Sequence, residues 1–218
     1  MNYFITGTDT NVGKTYVTSL LLRSLRSQKV DAVGMKPIET GGRHDAEKLC
    51  AAMGGLLSLE EINPVFLEQP LAPAIAAERE GRTISLEQVF ESYRKLSDSH
   101  SLVFVEGAGG WRVPIAAGYE MADLAGDLTK ISPLQVIVVV LNRLGAINHA
   151  LLTVESILAR GLDCAGFVLN QGTQDFAAAS NAHWIAQKVP LWFEVASGQE
   201  VLPDFAIPKS VKSDKITN

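Results

Sequence analysis

Six short apolar runs, largely β-branched, punctuate the chain: Tyr3–Thr6, Asp31–Met35, Leu102–Val105, Gln135–Leu141, Cys164–Leu169 and Pro190–Val195. Several are continuous rather than alternating, and a continuous run marks a strand buried on both faces, as in a parallel sheet covered by helices. Between them the apolar positions recur at helical spacing. Val17, Leu20, Leu21 and Leu25 share one helix face, with Arg23, Arg26 and Lys29 elsewhere. Asp45–Met53, Ser85–Leu96, Ala122–Leu128, Ile147–Ala159 and Phe176–Lys188 keep the same rhythm, and Ser85 followed by Glu87 and Gln88 predicts a helix start. Strand and helix alternate, so the expected fold is doubly wound α/β: a mainly parallel sheet, helices on both faces and right-handed crossovers. One domain is expected over 1–208, followed by a polar tail at 209–218 with three lysines and one aspartate.

Composition narrows the partners more than the fold. The chain has 218 residues, ample for a core, and a formal net charge of −5, which gives no overall electrostatic footprint for nucleic acid or an anionic membrane. No basic segment precedes an apolar one at the start, and the longest apolar run, Val136 to Leu141, is far too short to span a bilayer. The two cysteines, Cys50 and Cys164, lie far apart in apolar patterns and are expected to be buried free thiols. The expectation is a cytoplasmic protein whose partners are small molecules or proteins.

The chemistry gathers just past the strands, where open α/β sheets bind ligands. After the first strand comes Gly7-Thr8-Asp9-Thr10-Asn11-Val12-Gly13-Lys14-Thr15, which opens into a helix. It reads as a phosphate-binding loop: glycines let backbone N–H groups turn toward phosphate oxygens, Lys14 reaches the β/γ-phosphates and the Thr15 hydroxyl binds Mg²⁺. The standard spacing wants a glycine where Thr8 stands; the nearest is Gly7. After the second strand, Lys36-Pro37-Ile38-Glu39-Thr40-Gly41-Gly42 places Lys36 and the Thr40 hydroxyl over the sheet edge near the phosphates. Asp45 then opens a helix and is either its cap or a carboxylate for Mg²⁺. After the third strand, Glu106 leads the glycine run 107–110; a carboxylate there needs a cation, Mg²⁺ or Lys36, unless it serves a structural salt bridge. No GxGxxG is present, which disfavours a dinucleotide fold.

These blocks, together with Leu144-Gly145-Ala146-Ile147-Asn148-His149-Ala150 and Asn170 after the fifth strand, resemble dethiobiotin synthetase over roughly residues 1 to 195. The resemblance implies an ATP- and Mg²⁺-dependent ligase that closes a ureido ring on 7,8-diaminopelargonate using CO₂. It implies that Lys14 and Lys36 neutralise the phosphates and a carbamate with Thr10 close by, and that Thr15, Asp45 and Glu106 ligate Mg²⁺. Nucleotide contacts are implied for Asn11, Val12, Gly13, Lys14, Thr15, Tyr16, Gly107, Ala108 and Gly109, with Asn170 reading the adenine edge. Substrate contacts are implied for Thr40, Gly110, Leu144, Gly145 and Asn148, the last three from the partner subunit of a homodimer, where a helix N-terminus receives the substrate carboxylate. The family tends to place a proline after the glutamate of the sixth strand; Phe193-Glu194-Val195-Ala196 has none, so nucleotide preference does not carry over. Arg112 is an addition of unassigned use. The rival is a partner-switching ATPase of the plasmid- or septum-positioning type, with the same sheet and a deviant loop. Those proteins carry a lysine early in the loop, where this chain has Asp9, and Pro203, Asp204 and Pro208 break any terminal membrane helix.

Overall fold

The computed structural model describes residues 1–172, 179–202 and 205–208. Six strands form one sheet: β1 (Asn2–Gly7), β2 (Ala32–Met35), β5 (Leu102–Glu106), β8 (Leu134–Leu141), β9 (Cys164–Asn170) and β10 (Leu191–Val195), in the order β10-β9-β8-β1-β5-β2. Every neighbouring pair is parallel. These are the six runs expected from the pattern, each shifted at its ends by no more than a residue or so. Seven of the eight β8 residues, including Val136 to Val140, are buried, which is why their sequence is continuous rather than alternating.

Helices α1 (Lys14–Ser27), α2 (His44–Ala52), α5 (Leu86–Ser99), α6 (Met121–Ile131) and α7 (Ala146–Ala159) fill the crossovers. Ser85 caps α5, its side chain accepting from the Gln88 N–H, as its position predicts. Six short elements escape the pattern: β3 (Ile38–Thr40) pairs with β4 (Val65–Leu67), β6 (Pro114–Ala116) pairs with β7 (Tyr119–Glu120), and α3 (Leu59–Ile62) and α4 (Pro73–Arg79) link them. None is long enough to show a period. The expected helix 176–188 is seen as α8 (Asn181–Ala186), its first residues lying outside the described ones, as does the 209–218 tail.

Two details correct the sequence reading. Cys164 is buried and free as expected, but Cys50 is only half-buried and donates toward Leu57 O at 3.4 Å. Asp45 is not the cap of α2, whose N-cap is Arg43 without a side-chain bond. Instead Glu39, buried on β3, accepts from the backbone N–H groups of Asp45 at 2.7 Å and Ala46 at 3.1 Å, closing the helix start from outside. Asp45 is thereby freed to face the sheet edge. The strand order reverses around β1, so the loops after β1, β2 and β5 meet at one crevice.

Candidate active site

The loop after β1 holds two left-handed residues, Asn11 at φ 57° and Gly13 at φ 97°. A Cβ on Gly13 would sit 2.2 Å from the Asn170 amide nitrogen, which itself donates to Val12 O at 2.9 Å. The off-pattern first glycine also finds its reason. A Cβ on Gly7 would lie 2.8 Å from the backbone Asp9 O and 2.6 Å from Val12 Cγ2, so the glycine is required at position 7.

From this loop α1 starts with Lys14, whose Nζ donates to Asp9 O at 3.2 Å, and Thr15, whose hydroxyl donates to Glu106 Oε1 at 2.7 Å. Lys36, from the end of β2, stands between two carboxylates, 2.7 Å from Glu106 Oε1 and 2.8 Å from Asp45 Oδ2. Lys36 is 3% exposed and Glu106 fully buried. The two residues answer each other's burial, as an ionised pair must. Burial lowers the Lys36 pKa but the two carboxylates outweigh it and raise it overall, keeping the ammonium charged. Asp45 is held below its usual range, its partial burial opposed and outweighed by Lys36 and the Thr15 hydroxyl. Lys14 moves the other way: burial, then the Lys36 charge, lower it to about 8 against the pull of Glu106, Asp45 and Asp9.

These groups face a cleft of about 340 Å³ lined by Thr10, Asn11, Gly13, Thr15, Tyr16 and Lys48 among others. The Asp45 carboxylate and the Thr15 hydroxyl line it, the Glu106 carboxylate lies buried just behind them against Thr15 and Lys36, and among the described residues no trio of His, Cys, Asp or Glu gathers anywhere to cage a metal. That donor set suits Mg²⁺, which takes one or two carboxylates and fills its shell with phosphate oxygens and water. Glu106 Oε2 is buried and, among the described residues, meets no hydrogen-bond partner. A spare buried lone pair beside Thr15 and Asp45 fits a cation ligand.

A second cleft of about 420 Å³ lies on the other side of Thr10, between Gly110, Trp111 and Arg112 and the α7 residues Leu152, Thr153 and Ser156. Gly145 is the left-handed N-cap of α7, Asn148 lies exposed in its first turn and Leu144 is 79% exposed before it. Neither cleft is lined by Leu144, Gly145 or Asn148, and Thr40, at the end of β3, also stands outside both. The structure therefore brings Lys14, Thr15, Lys36, Asp45, Glu106 and Asn170 to one place and sets Gly110 beside Thr10 in the second cleft, while Thr40, Leu144, Gly145 and Asn148 line neither cleft.

Lys48, Arg143 and Arg160 were not singled out from the sequence, and Arg112 had no assigned use there. Lys48 reaches the first cleft because it lies one turn after Asp45 on α2, an i, i+3 spacing that gave the only signal. Arg143, after β8, pairs with Asp9 Oδ2 at 3.3 Å, while Asp9 Oδ1 accepts from the Thr10 N–H at 2.7 Å. Arg112 grips Glu120 with both ends of its guanidinium, and Arg160 of the α7 C-cap binds Glu120 at 2.7 Å and also meets Asp123. Its use is to fasten the β6–β7 hairpin to α6 and α7.

Comparison with known proteins gives this geometry a lineage. A family model described as an AAA domain matches residues 1–198. Among solved structures, chloroplast FtsY of Physcomitrella patens superposes with a TM-score of 0.54 at 15% identity, covering 88% of this chain and 57% of that one. MinD in the MinC–MinD complex of Aquifex aeolicus gives 0.52 at 17% identity over 89% and 81%. At such identities the likeness is one of fold, and this chain spans little more than half of the FtsY protein. Sequence relatives are more specific. The ATP-dependent dethiobiotin synthetase BioD of Akkermansia muciniphila is 42% identical over 92% of this chain and 94% of its own length. That of Anaeromyxobacter dehalogenans is 49% identical over 79% and 78%. With identity at that level over most of both chains, the chain belongs to the dethiobiotin synthetase family.

Proposed function

We propose a division of labour in this site for the ATP-dependent dethiobiotin synthesis that family membership assigns to the chain. One amine of 7,8-diaminopelargonate takes up CO₂ as a carbamate. A carbamate oxygen attacks the γ-phosphorus of ATP and ADP leaves; the second amine then attacks the carbonyl carbon and phosphate leaves, closing the ring. No protein nucleophile takes part, so catalysis is positioning and charge neutralisation.

The observation that carries this reading is the Lys36 ammonium, buried at a strand end between Glu106 and Asp45 and beside Lys14 and Thr15. A second cation so close to a phosphate loop has no task in merely holding nucleotide, but suits a reaction that brings carbamate and phosphate charges together. Lys14 and the loop N–H groups bind the phosphates at the positive end of the 14-residue α1. Thr15, Asp45 and Glu106 would hold Mg²⁺, which when bound neutralises phosphate charge. Lys36 lies within reach of the carbamate, and the diamine chain runs along the second cleft past Thr10 and Gly110.

Homodimerisation is part of the proposal. Leu144 and Leu152, 79% and 56% exposed, flank the exposed first turn of α7, an apolar surface that a second copy would cover while offering the α7 N-terminus to the substrate carboxylate. Among the described residues no helix is long and apolar enough to cross a membrane. The test is incorporation of isotope-labelled CO₂ with 7,8-diaminopelargonate and ATP. Label in a cyclic product, and phosphate release only with diamine and bicarbonate, supports the scheme; release without diamine, or driven by a protein or DNA partner, would overturn it.

A further inference from the structure

The polar face of α1 is lashed to the chain that follows β10. Tyr16 Oη reaches Gln199 O at 2.6 Å and Ala196 O at 3.1 Å, and Arg23 Nε donates to Glu200 O at 3.0 Å. Ser24 Oγ accepts from the Leu202 N–H at 2.8 Å, and Gln28 Nε2 donates to Phe205 O at 3.0 Å. Tyr16 lies about two turns before Arg23 and Ser24 on α1 and Gln28 is its C-cap, so the tethers run the length of the helix. Leu202 and Phe205 are buried, and the Phe205 ring packs on Trp192 and Phe193. Side-chain tethers to main chain thus give this segment a fixed course.

That course runs past Tyr16, which also lines the cleft. The charged groups Lys14, Lys36 and Asp45 gather on the β2 side of the phosphate loop, while Asn170 at the end of β9 donates to Val12 O of the loop at 2.9 Å, so the β9–β10 edge is the surface left for the rest of a nucleotide whose phosphates sit there. Val195 pairs in register with Asn170, and Gln171 N–H donates to Val195 O at 2.9 Å. The turn that follows closes on itself, Ala196 N–H donating to Gln199 Oε1 at 3.2 Å. Of the four tethering side chains, Tyr16 is the one that also lines the cleft. Its hydroxyl holds both ends of the 196–199 turn.

We propose that Tyr16 is a positioning residue for the nucleotide base: by gripping Ala196 O and Gln199 O it fixes the turn as the base-side wall and so sets discrimination among bases. No proline stands between Leu191 and Val201, and the tyrosine hydroxyl constrains the turn from α1. The inference rests on the phosphate loop holding ATP. Tyr16→Phe keeps the ring and deletes the hydroxyl. Titrations of full-length wild type and variant with ATP, CTP and tripolyphosphate, all with Mg²⁺, are compared with steady-state ring closure. The expected result is an ATP Kd and KM raised about fivefold, from one lost hydrogen bond. The ATP-over-CTP preference falls by a similar factor, the tripolyphosphate Kd shifts by less than about twofold, and the rise in KM exceeds any fall in kcat. Equal weakening of ATP and tripolyphosphate, or an unchanged base preference, overturns the role. If wild type itself binds ATP no better than tripolyphosphate, the wall does not exist, while labelled CO₂ incorporation still reports separately on the ligase scheme. If tripolyphosphate does not bind wild type at all, the phosphate-loop reading falls with it.

Discussion

Replacing Lys36 by methionine keeps the stem of the side chain and deletes the ammonium that Glu106 and Asp45 share. At 2.7 Å and an effective dielectric constant of about 20, the attraction to Glu106 alone is about 6 kcal/mol, against which stands the cost of taking both groups out of water. Breaking such a buried pair from one side leaves an uncompensated charge and costs about 3–5 kcal/mol, which in a domain of this size lowers Tm by roughly 10 °C. The assay is urea unfolding of wild type and Lys36→Met, read by tryptophan fluorescence. A penalty under about 1 kcal/mol would show that Lys36 is not the charge that lets Glu106 be buried.

Three further outcomes test the catalytic geometry. The same Lys36→Met variant should lose ring closure by at least about 10²-fold while its ATP Kd moves by less than about threefold; unchanged turnover in the labelled-CO₂ assay would remove Lys36 from the chemistry. Glu106→Gln should weaken nucleotide binding about tenfold with Mg²⁺ and hardly at all in EDTA, because only the metal-dependent part loses a carboxylate; titrations that show equal losses would make Glu106 structural. Because free Lys14 titrates at about 8 and phosphate oxygens favour its charged form, binding should take up protons above pH 8 and affinity should fall by up to about tenfold per pH unit. Calorimetry in buffers of different ionisation enthalpy checks this, and proton release instead of uptake would refute it.

The hydrophobic pattern determined the frame. Six continuous runs, too apolar to have a wet face, had to be strands covered on both sides, and helical rhythms between them left a parallel sheet as the one arrangement that buries both. The positions at strand ends were legible for the same reason: Lys36 and Glu106 are charged residues where a buried strand stops, so each demanded a partner. The phosphate loop was legible from local chemistry, since its lysine, threonine and glycines act within one turn of each other.

Tertiary structure decided what depends on contacts between distant segments. Asp45 could be cap or ligand by sequence, and it is Glu39, six residues earlier on a three-residue strand, that takes the cap and turns Asp45 toward Lys36. Arg143 meets Asp9 across 134 residues, and Tyr16 meets Gln199 across 183, separations at which no periodicity or spacing carries information. Burial of apolar surface is a property each residue carries with it along the chain, whereas a hydrogen bond needs two groups that only the folded sheet brings together.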